Sequence, residues 1–141
     1  MRAMRVHAET IEVRTEGRGF YDVTGEVGRV VAAAKVVSGV CTVFVKHTSA
    51  SLVIQENADP AVLRDLEKWM SRLAPESAHY EHDDEGPDDM PAHLRAAITR
   101  TSETIPIMAG HLTLGTWQAL YLWEHRRHPH RRNLAISILG E

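Results

Sequence analysis

Residues Arg5 to Arg14 alternate, with Val6, Ala8, Thr10 and Glu12 on one side and His7, Glu9, Ile11 and Val13 on the other. Period two predicts a half-buried strand near a sheet edge. Gly17-Arg-Gly19 reads as a turn and Phe20 to Val23 as a short extended piece. Val27, Val30, Val31 and Ala34 then recur at helical spacing, with Thr24 as the expected N-cap, Glu26 in the first turn and Gly39 as the stop. Val40 to Lys46 is β-branched and aromatic without a breaker, so it predicts a strand, and Leu52 to Ile54 predicts another. Asp59 followed by Pro60 marks a helix start, because proline lacks only an N–H that has no intrahelical partner there. That helix carries Val62, Leu63, Leu66, Trp69, Met70 and Leu73 as an apolar stripe expected in the core, and it ends near Pro75.

After a polar, acidic stretch a further helix is expected from about Asp89 to Thr101, with Leu94, Ala97 and Ile98 on one face. Thr104 to Met108, His111 to Leu114, Gln118 to Glu124 and Asn133 to Leu139 are strand-like, separated by turn-forming residues. Strands thus outnumber about three helices. With no repeat or linker to divide it, the chain predicts a single α+β domain, residues 1–141, built on antiparallel, sandwich-like sheet.

Length and composition agree with that reading. The 141 residues are enough for one core, and the hydrophobic and charged fractions of 43% and 25% are those of an ordinary globular chain. No segment approaches the roughly 20 apolar residues of a membrane helix, and the first residues show no secretory pattern, so no membrane association and a cytoplasmic location are the expectations. Cys41, the single cysteine, excludes an internal disulfide and is expected to be a small buried hydrophobe. A net charge of −3 makes a bulk nucleic-acid partner unlikely.

Nine histidines are many for this length, and imidazole is both the commonest metal ligand and the group that titrates near neutrality. The acidic loop from Tyr80 to Asp89 contains His82, and His93 lies in the first turn of the following helix. Imidazoles with carboxylates suit zinc, whereas carboxylates alone suit magnesium or manganese; the alternative is a solvated acidic loop. The helix start after Asn57 presents free N–H groups to a phosphate unless Asp59 already satisfies them. Along Gln118 to His125, Tyr121, Trp123 and His125 share one face and Leu120, Leu122 and Glu124 the other. Glu124 is then either a carboxylate at the sheet rim or one whose pKa desolvation raises, as a general base needs. The run Arg126 to Arg132 either grips phosphate through guanidinium forks or forms a solvated hairpin tip.

Five ordered blocks, Phe44-Val-Lys-His-Thr-Ser-Ala-Ser51, Gln55-Glu-Asn-Ala-Asp-Pro60, His82 to His93, Leu114-Gly-Thr-Trp-Gln118 and Glu124-His-Arg126, resemble the YjbQ family over nearly the whole chain. The resemblance implies a compact α+β subunit assembled as a homotrimer, with sites near subunit boundaries. It further implies the activity of a secondary thiamine-phosphate synthase, a transferase that joins a hydroxymethylpyrimidine diphosphate to a thiazole phosphate and releases diphosphate. On that basis His47, His82 and His93 are the expected ligands of a divalent metal, zinc or magnesium. Glu56, Glu124 and His47 are the expected catalytic groups, the two glutamates acting as base or as residues that orient the ligands, and Thr48, Ser49, Asn57, Arg126 and Arg131 the expected holders of a small phosphorylated substrate. Trp117, Trp123 and Tyr80 are the candidate aromatic walls. A trimeric protein that binds a metal or a phosphate ligand without turnover is the alternative.

Overall fold

The computed structural model describes residues 3–141. Its elements run β1 (Arg5–Thr15), β2 (Gly19–Asp22), α1 (Thr24–Ala34), β3 (Gly39–Val45), β4 (Ala50–Glu56), α2 (Pro60–Leu73), α3 (Asp89–Ile98), β5 (Ser102–Met108), β6 (His111–Leu112), β7 (Gln118–Glu124) and β8 (His130–Gly140). Five strands form one sheet in the order β1-β8-β3-β5-β6 and three form a second in the order β2-β7-β4. Every pairing between strands of these sheets is antiparallel. The expected α+β sandwich is therefore present, with β1 at an edge as its alternation predicted.

The core lies between the sheets. Ile11, Val43, Ile105, Leu134 and Ile136 from the larger sheet meet Leu52, Leu120 and Leu122 from the smaller, and Val27, Val30 and Val31 of α1 join the same cluster. Cys41 is part of it, fully buried, with burial pushing its thiol up to about 11. Toward the start of β1 the core-side positions turn polar: Glu9 is held by Arg29 of α1 at 3.0 Å, and His7 lies 3.5 Å from Glu9.

Four local expectations are corrected. Thr24 is the first helical residue rather than the cap. Its hydroxyl accepts the N–H of Leu120 at 2.9 Å, which ties α1 to β7, while Asp22 accepts the Thr24 N–H. The helix also stops earlier, at a left-handed Lys35, and Gly39 opens β3 instead. Gly39 pairs with Gly140 so closely that an added Cβ would lie 2.1 Å from the Leu139 carbonyl oxygen.

Helix α2 begins as expected, with the Asp59 carboxylate accepting the N–H of Ala61 at 2.9 Å. Its stripe is not core, however: of its members only Met70 is buried, while Trp69 and Leu73 are about half exposed. The helix covers the outer face of the smaller sheet, and the polar residue Glu67 lies on its inward side. Glu67 accepts hydrogen bonds from the Trp123 indole at 3.1 Å and from Arg95 of α3 at 2.9 and 3.1 Å. Arg95 is accordingly buried, and the expected apolar face of α3 points out, with Ala97 and Ile98 exposed. A guanidinium with two hydrogen-bonded partners can occupy a core position that single-helix periodicity assigns to leucine. No helix among the described residues is long and apolar enough to cross a membrane.

Candidate metal centre

Asp89 and His93 are four residues apart in α3, so their side chains stack on one helix face. The preceding loop brings His82 over them. The Asp89 Oδ2 lies 2.6 Å from His82 Nε2 and 3.2 Å from His93 Nε2, and the two imidazole rings are 5.5 Å apart. The three donor atoms lie within 4.8 Å of one another. His93 Nδ1–H donates to the Thr48 carbonyl at 3.0 Å, which fixes the ring with Nε2 turned toward Asp89. His82 and His93 are partly exposed, whereas the Asp89 side chain is 4% exposed.

Electrostatics keep this aspartate ionised. Burial alone raises its pKa, but the His82 hydrogen bond and the charges of Arg126 and His93 outweigh that and hold it below the usual carboxylate range. The same hydrogen bond raises the pKa of His82, against the smaller effect of desolvation. Arg126 braces the helix start: its Nη1 is 2.8 Å from Asp89, its Nε donates to Asp88 at 2.9 Å, and its Nη2 donates to the Glu85 carbonyl at 3.0 Å. Asp88 at the N-cap position and Asp89 in the first turn also complement the positive end of the α3 dipole. A cavity of about 290 Å3, lined by Glu76, His79, Tyr80, His82, Pro87 and Met90 among others, opens beside the cluster.

Behind it lies a buried network on β7 and β8. Glu124 is fully buried and accepts from Thr15 Oγ1 at 2.7 Å, Arg132 Nε at 2.8 Å, and the N–H groups of His125 and Arg126 at 3.0 and 3.2 Å. A second guanidinium nitrogen of Arg132 closes a fork on the same carboxylate. Arg132 Nη2 also donates to the Ser49 hydroxyl at 3.0 Å and the Ser49 carbonyl at 3.3 Å. Neighbouring His125 is buried, its Nε2 2.8 Å from Ser51 Oγ, and burial with the charges of Arg95 and Arg132 pushes its pKa down to about 3.

The structure sorts the expected site residues. His82 and His93 converge. His47 stays apart from the cluster, because its Nε2 accepts the Asn133 N–H at 2.8 Å; burial, then the Arg132 charge, lower its pKa. Thr48 contributes its carbonyl rather than its hydroxyl, and the Ser49 hydroxyl is occupied by Arg132. Arg126 is likewise committed to its carboxylates and is not a free phosphate fork. Asn57 is spent on the β7 turn, donating to the carbonyls of Thr116 and Gln118.

Glu56 ends β4, the strand that Ala50 begins beside Ser49, so it lies roughly 20 Å from that turn at the rise of an extended chain. Arg131 is 70% exposed on the outer face of the larger sheet, nearest to Glu12, whereas α3 packs outside the smaller one. Glu124 is the sharpest correction. Burial does raise its pKa, but the Arg132 and Thr15 hydrogen bonds win and lower it, so it is an ionised anchor rather than a poised base. Of the aromatic candidates, Tyr80 alone lines the cavity; Trp117 is exposed and Trp123 is stacked on Phe20.

Asp89 and Arg132 are the residues that sequence reasoning missed. The Asp-x-x-x-His spacing of 89 and 93 on one predicted helix face was the available signal for the first. Nothing local marked Arg132 among six neighbouring basic and histidine side chains. With two imidazoles and one carboxylate, the donor set fits zinc or another borderline divalent ion better than magnesium, which prefers oxygen ligands.

Comparison with known proteins places this arrangement in context. The family model described as UPF0047 protein YjbQ-like matches residues 9–141. A UPF0047 protein of Synechocystis sp. is 51% identical over 138 residues, covering 97% of this chain and 94% of the relative. YjbQ of Escherichia coli O157:H7 is 38% identical over 136 residues, 96% and 99% of the two chains. Among solved structures, a protein of unknown function from Sulfolobus solfataricus P2 superimposes with a TM-score of 0.89 at 28% identity, covering 99% of this chain and 100% of its own. An uncharacterised protein from Clostridium acetobutylicum gives 0.85 at 33% identity, covering 92% and 98%. From near its first strand to its last residue, the chain belongs to the YjbQ/UPF0047 family.

Proposed function

We propose that this protein is a divalent-metal transferase acting on a small phosphorylated substrate, with the secondary thiamine-phosphate synthase reaction as the specific reading. The convergence of His82, Asp89 and His93 beside an open cavity carries it. A bound cation there would neutralise charge on a departing diphosphate. The protein's own residues divide the remaining work. Thr48 orients His93, Arg126 helps to hold Asp89 ionised, and Tyr80 offers an aromatic wall to the pyrimidine that is transferred from diphosphate to the thiazole.

A homotrimer is part of the same reading. Val6, Leu139, Val40 and Pro106 align across β1, β8, β3 and β5 on the outer face of the larger sheet, followed two rows on by Thr10, Ala135, Phe44 and Ser102. Val6 is 75% exposed, Phe44 47% and Leu139 42%, an apolar face of the kind that copies of a chain bury against one another. A non-catalytic metal-binding protein is the second reading. It is favoured by Arg126 and Asn57, whose donors are already occupied and leave no ready phosphate cradle in one chain.

The test is metal analysis of the purified protein by plasma mass spectrometry, followed by assay of diphosphate release from the pyrimidine diphosphate and thiazole phosphate. Near-stoichiometric metal, lost in His93→Ala, together with diphosphate release supports the transferase. Stoichiometric metal without release supports the binding protein, and a metal-free wild type after supplementation removes the metal centre.

A further inference from the structure

We infer that Glu124 is a positioning residue that grips two of the three metal-binding side chains at once, through two separate arms. The inference rests on the metal centre proposed above and concerns what holds its geometry. One arm runs through Arg132. Glu124 binds its guanidinium in a fork, Arg132 Nη2 reaches the Ser49 hydroxyl and carbonyl, and the adjoining Thr48 carbonyl accepts the Nδ1–H of His93. The other runs through Arg126. Glu124 Oε2 accepts the Arg126 N–H at 3.2 Å, and the same residue's Nη1 lies 2.8 Å from Asp89 Oδ1.

Both arms start from one carboxylate with no exposed surface, and the Arg132 side chain is 4% exposed. At that end neither has room to relax into water, although the outer contacts, Thr48 with His93 and Arg126 with Glu85, lie at the surface. The two gripped ligands, His93 and Asp89, sit on the same helix face, so a shift of the 48–49 turn against the 126 backbone changes their separation directly. His82, on the loop and 40% exposed, receives no such support and is free to close over an ion. The arrangement is one rigid pair of ligands and one adjustable ligand, set by a residue that never touches the metal.

The test measures zinc affinity by competition with a chromophoric chelator, and the visible absorption of the cobalt(II)-substituted protein, in the full chain. Glu124→Gln keeps the shape but weakens both arms, and Arg132→Lys keeps the charge but loses the reach to Ser49. Zinc Kd should rise about tenfold or more in Glu124→Gln, within the range typical of lost supporting contacts, and less in Arg132→Lys. Cobalt bands should shift in both. Val43→Ala, a core change away from the site, should lower Tm and leave Kd and the cobalt spectrum unchanged. If Glu124→Gln does not fold, Arg132→Lys carries the test alone.

Wild-type affinity and spectrum in the folded variants overturn the inference while leaving the metal centre intact. So does an equal loss of affinity in Val43→Ala, which would mean that affinity merely follows global stability. A wild type that binds neither zinc nor cobalt instead overturns the metal centre itself.

Discussion

Replacing Arg132 by Met removes one half of a fully buried ion pair and leaves the other half in place. Glu124 then keeps only the Thr15 hydroxyl and the two backbone N–H groups of residues 125 and 126. Breaking a buried pair from one side costs about 3–5 kcal/mol, and the three surviving donors argue for the lower end, ~3 kcal/mol out of a total of roughly 5–15. For a chain of this length that corresponds to a fall in Tm of ~10 °C. The pH dependence gives a second, sharper signature. In the wild type the Glu124 pKa is held low, so its contribution is present above the ordinary carboxylate pKa and is lost as pH falls through the lower folded value. In Arg132→Met burial acts without the opposing guanidinium and the pKa rises, so the variant can relieve its penalty by taking up a proton. The stability gap should therefore be widest near about pH 8 and shrink toward about pH 5. Urea unfolding of both proteins at fixed concentration measures it. A gap under about 1 kcal/mol at the higher pH, or one that does not change with pH, refutes the buried-pair account.

His125 adds a second contribution that acid removes, beginning at higher pH than that of Glu124. With its folded pKa near 3, its contribution is complete above the unfolded value of about 6.5 and is lost as pH falls below it, ~2 kcal/mol by pH 5. His125→Gln, which can keep a bond to Ser51, should flatten the stability curve of the wild type by about one proton between those limits; parallel curves would refute the assignment. Gly39→Ala should lose about 3 kcal/mol or fail to fold, since its Cβ meets backbone at 2.1 Å, whereas Gly28→Ala in α1, with open space around it, should gain up to ~1 kcal/mol. Thermal melts of the two variants decide it, and equal shifts would contradict the close strand approach.

Much of this fold was legible because strands of the larger sheet alternate strictly. Ile11, Val13 and Thr15 point in while Glu12 and Arg14 point out, so period two alone places β1 correctly. The helices were legible in position but not in orientation. Periodicity assigns the α2 stripe to the core and puts Leu94, Ala97 and Ile98 on one face of α3, yet both helices turn a charged residue inward, Glu67 and Arg95, because each satisfies the other. That reciprocity is a property of two elements, and a pattern confined to one cannot reveal it. The site divides in the same way. His82 and His93 were found from residue type, and the structure adds Asp89 between them. Glu124 is neither the rim carboxylate nor the raised one that its strand pattern allows, because its partner, Arg132, lies eight residues away across a turn. Asn57 and Arg126 looked free only because the backbone and carboxylates they bind are distant in sequence.

The edge strand β1 bears on solubility. A strand of eleven residues paired on one side only is a template on which another molecule can add its own strand, the first step toward fibrils. Here the exposed rim is interrupted by Arg5, Glu12 and Arg14, and Glu9 faces the core side under the grip of Arg29. A strand arriving in register would have to bury those charges or strip Glu9 of its partner. Sheet-to-sheet growth along this rim is thereby penalised without any residue being spent on a protective cap.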